Sequence, residues 1–382
     1  MVSSPILLDF QSSTPCLKEV VDEMSSYWIE NFANPSSKGN LSGLYSSASL
    51  EVSRNKIQEN LNLLNKKIIF TSGATESNNL ALLGFARNFK QKTGRYGNII
   101  TLKTEHKAVL EPLRQLKKEG FSVTELYPES DGLILEENLL NALRDDTFLI
   151  SMMLANNEIG VIQPIEKIFK ICQQNNIKLH TDAAQCLGYV PLKNFDSLAN
   201  MITLSSHKIY GPKGIGLLII DEDIQLNPLF YGGGQEFGYR SGTIPLPLIV
   251  GFSKAIELGI KNQARNSIHL ANLRDSLMNG LLKNNSQILI NGSIFNRLPH
   301  NLNLTVLDVN GSNFHKSIKH QIVCSSGSAC SNGQVSHVLS SIGRSFKEAE
   351  SSVRLSIGLT TTSDEIDKSI AAITETINKL RK

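Results

Sequence analysis

Residues 203–216, Thr-Leu-Ser-Ser-His-Lys-Ile-Tyr-Gly-Pro-Lys-Gly-Ile-Gly, lie between two apolar runs of the chain. The runs at 201–204 and 215–220 have the composition of buried strands, so the pattern predicts that Lys208 lies on a turn joining them. A lysine that is desolvated near cationic or donor groups has a lowered pKa and can form a Schiff base with a carbonyl compound. A basic surface turn is the alternative, since most lysines lie in solvent. This stretch alone leaves both interpretations open.

The segments around this turn alternate between strand and helix patterns. Apolar runs at 67–71, 98–101, 121–126, 148–154 and 178–181 are typical of strands, and helical segments separate them. This order predicts an α/β domain with a mostly parallel sheet, whose ligands bind at the carboxyl ends of the strands. A long helix is predicted over about 247–282, followed by shorter strands and a closing helix from Asp364.

The composition excludes several classes of protein. The 382 residues carry a net charge of +3 and are 41% hydrophobic, which gives no support for nucleic acid or a membrane as a partner. An odd number of cysteines without a CxxC pair argues against a disulfide framework or a metal site and favours a reducing compartment. We recognise no signal peptide, transit segment or membrane-spanning run, so the predicted location is the cytoplasm. The five cysteines are Cys16, Cys172, Cys186, Cys324 and Cys330.

Polar residues at the ends of four predicted strands form a chemically coherent set. Thr75 opens a helix after a glycine turn and suits a phosphate, while His106 suits proton transfer against a flat ring. Asn157 could bind a ring hydroxyl or a carboxylate, and Asp182 could keep a pyridine nitrogen protonated. Taken singly, the Thr75 turn and His106 are better explained by ordinary helix capping and by a solvent-facing histidine at a helix start. Turn chemistry is the alternative for Asn157, and a helix N-cap is the alternative for Asp182. With Lys208 in the same sheet, they indicate pyridoxal phosphate (PLP), which needs a lysine, phosphate donors and an acid.

Two later loops and one strand carry further candidates. Arg240 and Thr243 follow the segment Gly232-Gly233-Gly234 and suit a phosphate or a carboxylate. Cys330 lies among serines and glycines, which favours an exposed, reactive thiol, whereas Cys324 follows an apolar pair and is assigned to a strand. A disulfide between the two is the alternative. Arg354 could bind a substrate carboxylate, or it could form a structural ion pair.

Six motifs resemble one known family over nearly the whole chain and in the same order. The chain resembles the cysteine desulfurases of the NifS/IscS type, which belong to the class-V aminotransferases with the PLP fold type I. The motifs are Ser-Gly-Ala-Thr-Glu-Ser (72–77), Thr-Glu-His-Lys-Ala-Val-Leu (104–110), Asn-Asn-Glu-Ile-Gly-Val (156–161), Ser-His-Lys-Ile-Tyr-Gly-Pro-Lys-Gly-Ile-Gly (206–216), Arg-Ser-Gly-Thr (240–243) and Ser-Ser-Gly-Ser-Ala-Cys (325–330).

This resemblance implies an architecture and a set of cofactor ligands. It implies a large PLP-binding domain over residues 16–260 with a mostly parallel, seven-stranded type of sheet. It also implies a smaller α+β domain from residues 1–15 and 261–382, and a homodimer with its site at the subunit interface. Lys208 would hold PLP and move protons, and His106 would stack on the ring. The other implied cofactor ligands are Asp182 at the pyridine nitrogen, Gln185 at the ring oxygen, Asn157, and Ala74, Thr75, Ser205, His207 and the partner subunit's Thr243 around the phosphate.

The same resemblance implies the reaction. Asn157 and Arg354 would hold the carboxylate of L-cysteine, and the Cys330 thiolate would attack its sulfur, leaving a persulfide and releasing L-alanine. The expected partner is a sulfur acceptor or an iron–sulfur scaffold protein, and the expected process is iron–sulfur cluster assembly or tRNA thiolation. A PLP lyase that releases sulfur or selenium directly is the second hypothesis. A catalytically weak paralogue that serves as a binding partner is the third.

The chain departs from the usual family pattern at several positions. Asn40 stands where the family usually has histidine, Phe237 where arginine is common, and Ser12-Ser13-Thr14-Pro15 where Ala-Thr-Thr-Pro is usual. The segment 331–336 is about two residues shorter than in well-known members, and the sequence ends at Lys382 without the C-terminal extension of some members. These departures concern substrate positioning and the choice of acceptor.

Overall fold

The computed structural model describes residues 5–191, 195–326 and 335–381. Its strands are distributed over three sheets. In chain order they are β1 (Ile6–Leu7), β2 (Lys66–Thr71), β3 (Asn98–Leu102), β4 (Ser122–Leu126), β5 (Thr147–Ser151), β6 (Lys178–Asp182), β7 (Met201–Ser205), β8 (Gly216–Asp221), β9 (Ile288–Ile290), β10 (Asn301–Val306), β11 (Ile322–Val323), β12 (Ser325–Ser326) and β13 (Ser352–Ser356).

The α-helices of the described residues connect and cover these sheets. They are α1 (Lys18–Ile29), α2 (Leu41–Asn60), α3 (Ala74–Asn79), α4 (Phe85–Thr93), α5 (Lys107–Glu119), α6 (Glu136–Asn141), α7 (Ile165–Gln174), α8 (Leu246–Asn284), α9 (Gly311–Ile318), α10 (His337–Ser341), α11 (Phe346–Glu350) and α12 (Ser363–Leu380). None of the helices in the described part of the chain combines the length and apolar composition needed to cross a bilayer.

The large sheet has seven strands in the order β2-β8-β7-β6-β5-β3-β4. Strand β8 is antiparallel to both of its neighbours, and the other pairs are parallel. The middle strands are buried along their whole length, as expected for a sheet with helices on both faces. The predicted α/β fold with a mostly parallel sheet is therefore confirmed. The predicted pairing around Lys208 is also present, with Ser205 opposite Gly216.

A smaller sheet lies in the C-terminal part of the chain. Its four strands follow the antiparallel order β12-β13-β10-β9, and β1 pairs in parallel with β11 in a separate two-stranded sheet. The 39-residue helix α8 packs against α1, α2 and α12 and is longer than the predicted helix over 247–282. The division into domains 16–260 and 1–15 with 261–382 stays a prediction.

One predicted helix is divided by an irregular turn. The sequence predicts a single helix over 75–90, whereas α3 and α4 are separated by a π-helical turn at Leu80–Gly84. All five residues of this turn are buried. The helical stretch nevertheless continues from Ala74 to Thr93, so its first N–H groups point towards the end of β2.

Candidate active site

A cavity of about 670 Å³ lies at the carboxyl ends of the large sheet. Loops after β2, β3, β6 and β7 line it, together with the N-terminal turn at 11–13 and Arg354 of β13. Ten of the predicted site residues line this cavity, namely Ala74, Thr75, His106, Asn157, Asp182, Gln185, Ser205, His207, Lys208 and Arg354. The volume is in the range of sites that hold a cofactor with a small substrate.

Lys208 lies in a short 3-10 turn directly after β7. Its Nζ atom donates hydrogen bonds to the main-chain oxygens of Gln11 at 2.6 Å and Ser12 at 2.8 Å. Burial, and then the positive charge of Arg354, lower its pKa to about 8. The surface-turn alternative is therefore wrong, and a substantial fraction of this amine is neutral near physiological pH.

Asp182 is the last residue of β6 and is 7% exposed. Its Oδ2 accepts a hydrogen bond from Asn78 Nδ2 at 2.7 Å, and its Oδ1 accepts one from the main-chain N–H of Ala184 at 3.0 Å. These two donors fix the orientation of the carboxylate at the wall of the cavity. A carboxylate held in this way can keep an adjacent pyridine nitrogen protonated.

The hydroxyl groups of Thr75 and Ser205 line the cavity without a hydrogen-bond partner among the described residues. The side chain of Thr75 does not cap α3, because the residue before the helix, Gly73, takes the cap position. His207 contacts Ser13 through Nδ1 and Oγ at 3.2 Å, and burial lowers the pKa of His207 to about 4. Free hydroxyls, a neutral imidazole and the first N–H groups of a helix suit an anion such as phosphate.

His106 lines the cavity where α5 begins. Its Nδ1 accepts a hydrogen bond from the N–H of Ala108 at 3.1 Å, so the ring also caps the helix. Desolvation lowers the pKa of His106 below its ordinary value. The capping interaction on Nδ1 leaves Nε2 as the nitrogen that carries the proton of the neutral ring.

Glu105 is a buried acid that the sequence analysis did not single out. It is fully buried, and its Oε1 accepts a hydrogen bond from the N–H of Met153 at 2.7 Å. Burial raises the pKa of Glu105 well above its ordinary value, which favours the protonated form of this carboxyl. The only feature of the sequence that could have identified Glu105 is its place as an acid in the motif Thr-Glu-His.

Arg354 forms an ion pair that the sequence analysis considered as the alternative to substrate binding. Its Nη2 donates to Asp9 Oδ1, Ser12 Oγ and Ser325 Oγ, each at 2.8 Å. Its Nη1 donates to the main-chain oxygen of Asn157 at 2.8 Å. Nε has no partner among the described atoms. Arg354 and Asn157 therefore lie in contact at one wall of the cavity, and Asp9 is a further neighbour of Arg354.

Among the described residues, Thr243 is a predicted site residue that is not part of this wall. Thr243 is exposed and lies outside the cavity, and Cys330 lies outside the described residues. Cys324 is partly buried between β11 and β12, with Sγ 3.8 Å from His315 Nδ1. Burial and the nearby Asp9 raise the pKa of Cys324 to about 12, so this thiol is protonated and unreactive at neutral pH.

The residues missed by sequence reasoning come mainly from the N-terminal turn. Gln11 and Ser12 hold Lys208, and Lys213 also lines the cavity. Their positions depend on contacts between segments almost 200 residues apart. Asn40, which replaces the usual family histidine, caps α2 by accepting a hydrogen bond from the N–H of Gly43 at 2.8 Å.

Comparison with known proteins identifies the class of protein that this fold and site define. A model of the aminotransferase class-V family matches residues 6–368. A solved structure described as a NifS-like protein superposes with a TM-score of 0.91 at 32% identity, covering 98% of this chain and all of the other. The chain therefore belongs to the class-V aminotransferase family and has the PLP fold type I.

Curated relatives narrow the activity within this family. The mitochondrial cysteine desulfurase of Eremothecium gossypii is 43% identical over 99% of this chain and 77% of its own length. The cysteine desulfurase IscS of Histophilus somni is 42% identical over 99% of this chain and 94% of its own length. The protein is thus a cysteine desulfurase, an enzyme of a PLP-dependent family.

Proposed function

We propose that the cavity holds PLP on Lys208 and that the enzyme uses it to convert L-cysteine into L-alanine. One observation carries this proposal: a lysine with a lowered pKa, an oriented carboxylate and unpartnered hydroxyls line the same cavity. In this arrangement Lys208 would bind the cofactor covalently, and Asp182 would contact its ring nitrogen. Gln185 would contact the ring oxygen and His106 the ring face, while Ala74, Thr75, Ser205 and His207 would surround the phosphate.

The residues of the chain then have separate roles in the reaction. PLP, when bound, supplies an electron sink for charge that develops on the substrate carbons. Lys208, whose lowered pKa of about 8 lets it give up and take back a proton near neutral pH, moves protons at those carbons. Arg354 and Asn157, which line the same wall of the cavity, orient the substrate carboxylate. His106, which is neutral, exchanges a proton at the substrate through Nε2.

Cys330 receives the sulfur. Its thiolate attacks the sulfur of the bound cysteine, so that an S–S bond forms while the C–S bond breaks. The electron pair of the broken bond goes to the substrate carbon, which takes up a proton and becomes the methyl group of alanine. The product on the protein is a persulfide, and no external oxidant is consumed in this step.

The test is alanine formation from L-cysteine, with reductant present, by the wild type and by Cys330→Ser. We expect alanine from the wild type and a loss of roughly a hundredfold or more in the variant, because serine is a far weaker nucleophile at neutral pH. Visible absorbance of bound PLP in both proteins is the control for an intact site. Equal alanine formation by both proteins would contradict the persulfide route and favour the direct lyase.

We propose that the enzyme acts as a homodimer in which Thr243 completes the phosphate site of the partner subunit. Thr243 is exposed outside its own cavity. Helices α1 and α2 and the glycine-rich loop also expose large apolar side chains, and Phe237 of that loop lies 5.2 Å from the guanidinium of Arg54 in α2. Exposed apolar side chains on neighbouring elements favour association. The most exposed of these side chains are Ile29, Leu41 and Tyr231, and Phe32, which lies between α1 and α2, is similarly exposed.

Mixed dimers test this proposal. Lys208→Ala and Thr243→Ala chains are each expected to be poorly active, and their mixture should recover activity. One site of the mixed dimer combines an intact Lys208 with Thr243 from the other chain. Light scattering should give about twice the 42.0 kDa chain mass. A monomeric mass, or no recovery in a demonstrated mixed dimer, would contradict the shared site.

We propose that the persulfide sulfur goes to a separate acceptor protein, for iron–sulfur cluster assembly or tRNA thiolation. Support comes from the curated relatives named as IscS and as mitochondrial cysteine desulfurase. We keep the cytoplasm as the proposed location. The mitochondrial relative shows that related enzymes also work in another compartment.

A further inference from the structure

An ion pair lies at the edge of the cavity and is formed by residues without a role in the proposal above. Glu76 follows Thr75 directly, and its Oε1 accepts a hydrogen bond from Arg240 Nε at 2.9 Å. Its Oε2 accepts one from the main-chain N–H of Ser72 at 2.7 Å. The carboxylate of Glu76 is therefore hydrogen-bonded to the main chain at the start of the turn at 72–76. The two side chains are only 9% and 21% exposed.

This carboxylate creates an electrostatic problem for an anion site. Burial acts to raise the pKa of Glu76, but hydrogen bonds from Ser72 and Arg240 outweigh it and lower the pKa below its ordinary value. Glu76 is therefore ionised beside the turn that would bind a phosphate dianion. Like charges on neighbouring groups repel each other, and the partial burial of Glu76 limits the screening by water.

Arg240 is placed to remove that repulsion. The sequence analysis considered Arg240 as a direct ligand of a bound phosphate or carboxylate, but its guanidinium pairs with Glu76 of the same chain. Arg240 is also three residues before Thr243 in the chain. The ion pair consequently joins the phosphate turn to the loop that carries Thr243.

We propose that Arg240 and Glu76 are a charge-compensating positioning pair for the cofactor phosphate. Glu76 stabilises the turn at 72–75 by accepting a hydrogen bond from the N–H of Ser72. Arg240 neutralises the negative charge of the Glu76 carboxylate, which would otherwise lie uncompensated beside the phosphate. The inference rests on the proposed function, because it requires that PLP occupies the cavity.

The test compares the PLP affinity of two single variants and their double variant, in which the charged side chains are replaced by neutral ones. PLP is titrated into each apo-protein, and binding is followed by visible absorbance. Arg240→Gln should weaken PLP binding by about tenfold to a hundredfold, because it leaves the carboxylate uncompensated. Glu76→Gln should bind PLP within about threefold of the wild type, since a glutamine oxygen can still accept from Ser72. The double variant should recover most of the loss in PLP affinity, because both charges are then absent; a merely structural ion pair would instead show its effects in the unfolding midpoint without PLP.

Two further variants separate charge from general damage. Arg240→Lys keeps the positive charge and should bind PLP within about threefold of the wild type. Arg87→Gln removes a different arginine–glutamate pair, Arg87 with Glu119 at 2.6 Å between α4 and α5, and should leave PLP affinity unchanged. The thermal unfolding midpoint of each variant, measured without PLP, shows whether the chain is folded.

The outcomes distinguish this inference from the proposed function. If the wild type binds PLP and the double variant is as weak as, or weaker than, Arg240→Gln, the charge-compensation role is wrong and the proposed function stands. Wild-type affinity in Arg240→Gln leads to the same conclusion. If the wild type fails to bind PLP at all, the proposed function falls and this inference falls with it.

Discussion

A Lys208→Ala variant is expected to lose the visible absorbance of bound PLP and to form alanine at less than about a thousandth of the wild-type rate. The change removes the amine at the end of β7 that donates to the main-chain oxygens of Gln11 and Ser12. It removes both the covalent attachment of the cofactor and the base that moves protons at the substrate. Absorbance spectra of the purified variant and alanine formation from L-cysteine measure the two losses separately.

The pH dependence of cofactor attachment follows from the environment of Lys208. Burial and the charge of Arg354 lower the pKa of Lys208 to about 8, and the neutral amine is the reactive form. After removal of PLP, the rate at which absorbance returns should therefore rise with pH through about 8 and then level off. Lys213→Ala, which changes another lysine of the same cavity, should retain the absorbance. An unchanged spectrum in Lys208→Ala would contradict the assignment.

The elements around Lys208 could be predicted because their signals are local. Two apolar runs separated by glycines and a proline define a strand pair, and the structure has that pair as β7 and β8. The sequence pattern predicts a helix over 107–119, and α5 has these bounds, because the glycine that follows marks its end. The π-helical turn at Leu80–Gly84 was missed, since its apolar residues fit an ordinary helix equally well.

The composition of the cavity wall was partly predictable, and the partners of its residues were not. The pattern of polar residues at strand ends predicted Asp182 and His106 as site residues, because parallel strands bring their carboxyl ends together at one edge of the sheet. The ion pair of Arg354 with Asp9 joins positions 345 residues apart, and the pair of Arg240 with Glu76 joins positions 164 apart. No local pattern specifies such contacts, because they arise only when distant segments pack.

Asp182→Asn is expected to lower alanine formation by roughly a hundredfold to a thousandfold while the protein still binds PLP. The substitution keeps the size of the side chain and removes the negative charge that stabilises a protonated ring nitrogen. Lys208 is untouched, so the visible absorbance should persist with a shifted maximum. Steady-state alanine formation and the absorbance spectrum together separate this electrostatic loss from a loss of cofactor.

The matched control for Asp182→Asn is Asn78→Ala. It removes the hydrogen bond to Asp182 Oδ2 and leaves the charge in place. Because Oδ1 still accepts from the N–H of Ala184, the carboxylate should stay near its position, and activity should fall by only about tenfold or less. If Asp182→Asn were nearly as active as the wild type, or no worse than Asn78→Ala, the carboxylate would have only a structural role. If activity falls strongly in Asp182→Asn and not in Asn78→Ala, the negative charge of Asp182 is what contributes to catalysis.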